Sequence, residues 1–229
     1  MIESFKERVF RANIALFTGK LVVHTWGNVS GRDPETGLVV IKPSGISYDK
    51  MQADDMVVID LNGRVIEGKY KPSTDAPTHL VLYNAFKSVG GIVHTHSTYA
   101  TSWAQSGRSI PALGTTHADF AYGEIPCTRE LKAKEITSGY EINTGKLILE
   151  TLGVKDPASI PAVLVHSHGP FIWGGDTEEA VYNAITLEEI AKMAFNTVLL
   201  GRTTAVEGKL LDKHFSRKHG DDAYYGQEN

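Results

Sequence analysis

The sequence predicts a single α/β domain, spanning residues 1–229, in which a mixed β-sheet is flanked by helices. Short aliphatic runs bounded by glycine or proline are interleaved with longer stretches that carry apolar residues at helical spacing. No Pro-, Ser- or Gly-rich linker divides the chain, and its length suits one domain. Strands that alternate with helices are typical of a sheet packed against helices, so an α/β architecture follows.

The first third of the chain is predicted to hold one helix, two strands and a hairpin turn. Apolar residues recur at helical spacing over 5–16, and Gly19 is placed to end that helix. Aliphatic strands are predicted at 38–41 and 56–59. Asn62-Gly63 follows the second strand and is a strong hairpin signal.

The rest of the chain is predicted to begin with a helix from Pro77 towards Gly90-Gly91. Two strands that end in histidine pairs follow, at 92–96 and 162–168. A long helix is predicted from Asp176 to about Leu200, where Asp176 and Glu179 resemble a capping box. A final helix is expected over 209–219.

Composition and charge exclude several classes of protein. The net charge is −4 and the basic residues are scattered, which argues against binding to nucleic acid. The single cysteine, Cys127, cannot form an internal disulfide. We see neither a signal peptide nor a membrane-length apolar run, so we expect a cytoplasmic protein without a membrane partner. A small anionic substrate remains compatible with this charge.

Two His-x-His pairs carry the strongest chemical signal. Side chains alternate along a strand, so His94 and His96 would point to the same face, and His166 and His168 would repeat that geometry. Three imidazoles on one ion leave a position for substrate, which is typical of a catalytic metal, most often zinc, with manganese or cobalt as alternatives. The competing interpretation is a set of core histidines paired by hydrogen bonds. Spacing leaves the choice between His166 and His168 open.

Asp75 is the next candidate, and two interpretations compete for it. It lies just before the predicted helix at Pro77, where aspartate commonly caps a helix N-terminus. A carboxylate can also complete a histidine metal site or act as a base beside it.

Three short polar loops are candidates for phosphate binding. They are Gly27-Asn28-Val29-Ser30, Lys42-Pro43-Ser44-Gly45 and Lys71-Pro72-Ser73-Thr74. Hydroxyl groups, exposed amides and a nearby lysine are what a phosphate site needs, although each loop alone is more often just a turn. No Gly-Lys-Ser/Thr phosphate loop or dinucleotide fingerprint is present, so nucleotide cofactors are not expected.

These segments resemble the class II aldolase family over essentially the whole chain, and within it the branch of sugar-phosphate epimerases. The resemblance rests on Thr25-Trp26-Gly27-Asn28-Val29-Ser30, Ile41-Lys42-Pro43-Ser44-Gly45, Gly91-Ile92-Val93-His94-Thr95-His96-Ser97, Gly114-Thr115-Thr116-His117-Ala118-Asp119, Val165-His166-Ser167-His168-Gly169-Pro170 and the ending Lys218-His219-Gly220 to Tyr224-Tyr225-Gly226-Gln227. It implies a three-layer class II aldolase-like fold.

The resemblance also implies roles for individual residues. It makes His94, His96 and His168 metal ligands, with Asp75 at or near the ion. Substrate- and phosphate-binding positions are Gly27, Asn28, Lys42, Ser44, Gly45, Ser73 and Thr74, with His214 supporting the site. Asp119 and Tyr225 match the acid–base pair, with the tyrosine supplied by a neighbouring subunit. A homotetramer with active sites between subunits is therefore expected.

The activity implied is metal-dependent epimerisation of L-ribulose 5-phosphate to D-xylulose 5-phosphate at carbon 4. The pathway, L-arabinose or ascorbate/gulonate breakdown, is not fixed by the sequence. A sugar-phosphate aldolase similar to L-fuculose-phosphate aldolase is the nearest alternative, and a non-catalytic adducin-like interaction domain is a remote one. Thr74 and Ala76 depart from the family pattern: Thr74 keeps a hydroxyl, but Ala76 does not, which weakens the match of that loop. Thr98-Tyr99 also departs from the pattern and leaves fine substrate preference open.

Overall fold

The computed structural model describes residues 2–219 and 223–226, so Gly220 and Gln227 of the terminal motif lie outside the described residues. The helices are α1 (Ile2–Thr18), α2 (Ala76–Ala85), α3 (Thr98–Gln105), α4 (Thr115–Ala118), α5 (Ala133–Thr137), α6 (Tyr140–Leu152), α7 (Thr177–Leu199) and α8 (Gly208–Ser216). The strands are β1 (Asn28–Arg32), β2 (Val39–Ile41), β3 (Val57–Ile59), β4 (Val65–Glu67), β5 (Gly91–His94), β6 (Ala162–Val165) and β7 (Gly169–Gly174). A short 3-10 helix spans Ala53–Asp55.

The strands form one sheet in the order β4-β3-β2-β1-β5-β7-β6. Every pairing between these strands is antiparallel, so the prediction of a mixed sheet is wrong. The long connection from β5 to β6 skips one position in the sheet. The hairpin strand β7 fills that position, so the parallel strands β5 and β6 never pair. Helices between strands therefore do not by themselves indicate parallel neighbours.

Helices cover both faces of the sheet, which confirms the three-layer α/β prediction. One buried cluster joins α1, α3 and α7 to the face that carries Val29 and Val93. The other joins α2 and α6 to the opposite face, which carries Ile92 and Phe171. Adjacent residues of β5 thus enter different cores, as the alternation of side chains along a strand requires.

Several predicted boundaries are confirmed by local hydrogen bonds. The backbone N–H of Gly19 donates to the Ala15 carbonyl at the end of α1 (2.8 Å). Gly63 adopts φ +85° in the turn between β3 and β4, as its place in the Asn-Gly pair predicted. Asp176 caps α7, because its side chain accepts a hydrogen bond from the Glu179 N–H (2.8 Å).

The second histidine pair is not on a strand, contrary to prediction. Strand β6 ends at Val165, and residues 166–168 form the tight turn that leads into β7. Ser167 occupies the left-handed region at φ +60°, and its N–H donates to the Ala104 carbonyl (3.0 Å). The turn therefore sends the side chains of His166 and His168 to different surroundings. Within the described residues, no helix is both long and apolar enough to cross a membrane.

The side chain of Asn13, in α1, hydrogen-bonds the backbone of Val29 in β1. Strand β2 pairs with β1 only from Ser30 onwards and so does not pair with Val29. Its side chain accepts from the Val29 N–H (2.8 Å) and donates to the carbonyls of Val29 (3.1 Å) and Val9 (2.9 Å). The side chain is fully buried, so these backbone groups have no access to water as a substitute partner. Asn13 thus fixes the start of β1, next to Asn28.

We expect Asn13→Ala to lower the free energy of unfolding by about 1–3 kcal/mol, because it leaves the buried N–H and C=O of Val29 unpaired. Urea denaturation measures the change. The matched control is Asn196→Ala, which removes an exposed side-chain hydrogen bond to the Lys192 carbonyl and should change stability by no more than about 0.5 kcal/mol. Equal losses in the two variants would contradict this role of Asn13.

Candidate metal centre and substrate cleft

Three histidines converge at one end of the central strands. His94 is the last residue of β5, His96 lies two residues beyond it, and His168 directly precedes β7. Each ring offers a nitrogen, and these three nitrogens lie within 4.8 Å of one another. Because β5 and β7 are paired, the end of one strand and the turn before the other meet at the same edge.

The ring orientations suit a shared metal ion, and two of the rings are also close enough to form a hydrogen bond with each other. The His94 Nδ1–H donates to the Pro170 carbonyl (3.0 Å), which leaves the Nε2 lone pair of that ring facing the cleft. The Nε2 atoms of His94 and His96 are 3.0 Å apart. Two ligands about 2.0–2.1 Å from a tetrahedral ion are separated by roughly 3.3 Å, so this spacing fits a shared divalent ion.

The surroundings favour the neutral form of His96 and His168, as metal ligation requires. Burial, with the proximity of His94 and His96, lowers the pKa of His168 to about 3. Burial and His94 also lower the pKa of His96. A cluster of neutral imidazoles offers lone pairs to a cation and does not repel it.

Aromatic side chains support the ligands, and sequence reasoning did not find them. Phe171 stacks on His94 with ring centroids 4.3 Å apart, and the buried His79 packs edge-on against Phe171. The Tyr140 hydroxyl lies 3.3 Å from His168 Nδ1 and so can orient that ring. Tyr140 belongs to α6, and no sequence motif links that helix to the histidines.

Asp75 lies in the same cleft but does not act as the helix cap that one interpretation predicted. Its side chain makes no capping hydrogen bond to α2. Instead Asp75 Oδ2 accepts from the Asn28 Nδ2–H (2.7 Å), with the Ser73 hydroxyl 3.5 Å away. Burial alone would raise the pKa of Asp75, but the nearby His94 and the bond from Asn28 outweigh it and lower the pKa. The carboxylate is therefore held ionised beside the three histidines.

The predicted polar loops and the histidines surround one cleft of about 570 Å³. Its lining comprises Thr25, Trp26, Gly27, Asn28, Lys42, Pro43, Ser44, Gly45, Ser73, Thr74, Asp75, His94, His96 and His168. Backbone hydrogen bonds join two of the loops: Ser44 N–H donates to the Lys71 carbonyl, and Ser73 N–H donates to the Lys42 carbonyl (both 2.9 Å). Groups from three distant segments thus form one binding surface.

Lys42 lines this cleft, but its ammonium group is engaged with the backbone. Nζ donates to the carbonyls of Ile46 (2.9 Å), Thr25 (3.4 Å) and Pro43 (3.4 Å), and it lies over the Tyr48 ring. Burial lowers the pKa of Lys42 to about 8. The side chain therefore ties together the loops on either side of the cleft.

Asp119, His214 and Tyr225 form a second group, which does not line the histidine cleft. Asp119 accepts from Arg217 through both carboxylate oxygens and from His214 Nδ1 (3.0 Å). Burial would raise the pKa of Asp119, but the hydrogen bonds from Arg217 and His214 outweigh it and lower the pKa. The exposed Tyr225 ring lies against Arg217 and Lys218. Within one chain, the predicted site residues are thus divided between two places.

A sequence model of the Class II Aldolase and Adducin N-terminal domain matches residues 7–195. The chain belongs to this family.

Three solved structures show the same architecture. An L-fuculose 1-phosphate aldolase is 25% identical, with a TM-score of 0.79 over 93% of this chain and 94% of that chain. The L-fuculose 1-phosphate aldolase from Glaciozyma antarctica PI12 is 21% identical, with a TM-score of 0.77 over 96% and 84% of the two chains. YgbL from Escherichia coli, for which aldolase, epimerase or decarboxylase activity is proposed, is 23% identical, with a TM-score of 0.72 over 92% and 97%.

The family match and the fold confirm the class II aldolase family and the three-layer architecture that the sequence resemblance predicted. The likenesses below 25% identity support the fold alone. The histidine cluster also agrees with the predicted ligand set, and His166 lies outside it, with its Nδ1 at 2.8 Å from the Ser167 hydroxyl. The structure thus places His168, and not His166, beside His94 and His96.

We expect His96→Ala to lose stoichiometric zinc, because two imidazoles hold the ion far more weakly than three. Metal content after gel filtration in zinc-free buffer measures the loss. His166→Ala is the matched control, since it removes a histidine from the same motif outside the cluster, and it should retain zinc. A zinc-loaded His96→Ala protein, or equal loss from both variants, would overturn the ligand assignment.

Lys42 should make stability depend on pH. Its pKa is about 8 in the folded chain against an ordinary value of 10.5, so between these values the unfolded chain binds more protons. The free energy of unfolding of the parent should therefore rise with pH relative to Lys42→Met, by about 2–3 kcal/mol in total between pH 8 and pH 10.5. Urea denaturation at intervals across this range measures the difference. A difference that stays constant with pH would contradict the burial of a charged amine.

Proposed function

We propose that this protein is a metal-dependent sugar-phosphate enzyme that epimerises L-ribulose 5-phosphate to D-xylulose 5-phosphate at carbon 4. The observation that carries the proposal is the single cleft in which three histidine nitrogens face loops rich in hydroxyl and amide groups. Imidazole ligands suit zinc, manganese or cobalt, and zinc is the first choice. The polar loops suit a phosphate group.

The position of the reacting carbon dictates the type of chemistry. Carbon 4 of the ketopentose is not adjacent to the carbonyl, so its C–H proton is not acidic enough for direct removal. A retro-aldol route instead breaks the bond between carbons 3 and 4 after a base takes the hydroxyl proton at carbon 4. A divalent ion held by His94, His96 and His168 would supply Lewis acidity for the negative charge that develops on the enediolate fragment.

The cleft residues divide into binding and orienting groups. The phosphate site comprises the hydroxyls of Ser44, Ser73 and Thr74 and the backbone N–H groups of Gly45 and Thr74. Lys42 and the N–H groups of Ser44 and Ser73 are used instead to hold the loops together. Asn28 orients the ionised Asp75 beside the histidines. Fixed donors around the reacting atoms lower the barrier without reorganisation during the reaction.

Inversion at carbon 4 needs proton-transfer groups on opposite faces of the aldehyde fragment, and we assign Asp119 and Tyr225 to this pair. Both lie outside the histidine cleft of their own chain. We therefore propose that the active sites lie between subunits of a homotetramer, where neighbouring subunits bring Tyr225 and Asp119 to the cleft, with His214 supporting Asp119 through their hydrogen bond.

A class II aldolase activity is the second candidate, and the similarity to an L-fuculose 1-phosphate aldolase favours it. The two reactions share the cleavage step and differ in where the phosphate is held. An epimerase holds it on the aldehyde fragment that turns and is recaptured. An aldolase of this type holds it on the enediolate fragment and releases the aldehyde.

The test incubates zinc-loaded protein with L-ribulose 5-phosphate and follows D-xylulose 5-phosphate, before and after chelation. Formation of the epimer that stops on chelation and returns with zinc is the expected result. Release of free aldehyde from L-fuculose 1-phosphate, without epimer from L-ribulose 5-phosphate, would establish the aldolase instead. No conversion of either substrate by protein that binds no metal would favour the interaction-domain alternative.

We expect Tyr225→Phe to lower kcat for epimerisation at least a hundredfold, because the phenol O–H that transfers the proton is lost. Steady-state kinetics with L-ribulose 5-phosphate measures the change. Tyr224→Phe is the matched control: Tyr224 is equally exposed and also lies over a lysine, Lys213, and its loss should leave kcat within a few-fold. A Tyr225→Phe protein with turnover close to that of the parent would show that the acid–base assignment is wrong.

A further inference from the structure

Trp26 is a large aromatic residue at the mouth of the histidine cleft. It lines the cleft together with the three histidines, and its ring centroid is 6.3 Å from that of His96. The side chain is 54% exposed. Single exposed apolar residues are common on protein surfaces, so the exposure alone indicates nothing. What is informative is that this indole borders a polar cleft beside the candidate ion site.

The backbone that carries Trp26 is held in place on both sides. The Trp26 N–H donates to the Val23 carbonyl (3.0 Å), and the Tyr48 hydroxyl is shared between the carbonyls of Trp26 (3.1 Å) and Gly27 (2.9 Å). Gly27 has φ +73°, and a Cβ there would lie 2.8 Å from the His94 carbonyl oxygen. Since only glycine tolerates this close approach, the backbone directly after Trp26 packs against the end of β5 that carries His94.

Two histidines lie close to the ring of Trp26. His24 packs edge-on against it at 6.0 Å, and His96 lies on the cleft side. Within the described residues, no protein group accepts a hydrogen bond from the indole N–H. The ring therefore keeps an apolar face and a donor that no described protein group engages.

The proposed epimerisation creates a need for such a group. Cleavage of the bond between carbons 3 and 4 yields glycolaldehyde phosphate and the enediolate of dihydroxyacetone. The aldehyde fragment must turn its other face and form the bond again before it leaves. If it leaves, the enediolate takes a proton from water, and free glycolaldehyde phosphate and dihydroxyacetone result. Retention of the fragment thus separates an epimerase from an aldolase on the same scaffold.

We propose that Trp26 closes the mouth of the cleft over the aldehyde fragment and retains it for recapture, so that it determines how cleaved substrate is divided between epimer and free fragments. This inference rests on the proposed epimerase function. Its basis is the position of the indole at the mouth of the cleft, its anchored backbone and its unpartnered N–H.

The test measures free glycolaldehyde phosphate and D-xylulose 5-phosphate by ³¹P NMR during turnover of L-ribulose 5-phosphate. We expect Trp26→Ala to raise the ratio of free fragment to epimer at least tenfold, while Trp26→Phe stays within about threefold of the parent. Ile136→Ala is the control, because Ile136 is similarly exposed (50%) but does not line the cleft. Zinc content and circular dichroism must match those of the parent in all variants.

Binding of glycolaldehyde phosphate, measured by calorimetry, gives a second readout that does not depend on turnover. We expect its Kd to rise about tenfold in Trp26→Ala. An unchanged product ratio in Trp26→Ala, or loss of cleavage and epimerisation together at full zinc content, would overturn the inference. If the parent protein forms no epimer, the proposed epimerase function is wrong and the inference about Trp26 is wrong with it. This outcome differs from an active parent whose product ratio does not change in Trp26→Ala.

Discussion

The convergence of three imidazoles at one edge of the sheet is the constraint on which the rest of the site depends. Two Nε2 atoms are held 3.0 Å apart, and ring nitrogens of all three histidines fall within 4.8 Å. Lone pairs at such distances repel unless a proton or a cation lies between them. The chain fixes two of these rings from behind. The Pro170 carbonyl and the Phe171 ring hold His94, and the Tyr140 hydroxyl lies against His168.

The order of the strands explains why this arrangement is rigid. Strand β5 lies between β1 and β7, and its last residue, His94, is opposite Asn28 on one side and Phe171 on the other. Asn28 in turn holds Asp75, and the start of its strand is completed by Asn13. The cleft is therefore built from strand ends and the loops directly attached to them, which favours the precise geometry that catalysis needs.

Local patterns in the sequence predicted much of the site, because its residues lie in short motifs. His94, His96, His168, Asp75 and residues of the three polar loops line one cleft, as the motifs and the family resemblance suggested. Features that depend on contacts distant in sequence were not predictable. They include the antiparallel sheet, the turn at 166–168 that turns His166 away, and Tyr140, which approaches His168 from a separate helix. The sequence likewise could not predict that Asp119 lies away from the histidine cleft of its own chain, because this depends on how distant segments pack.

The most direct measurement of the central claim is anomalous diffraction at the zinc absorption edge from crystals of zinc-loaded protein. The structure predicts one peak in the cleft, about 2.0–2.1 Å from a ring nitrogen of each of His94, His96 and His168. A peak that involves His166, or zinc bound elsewhere with the three rings hydrogen-bonded to one another, would contradict the account.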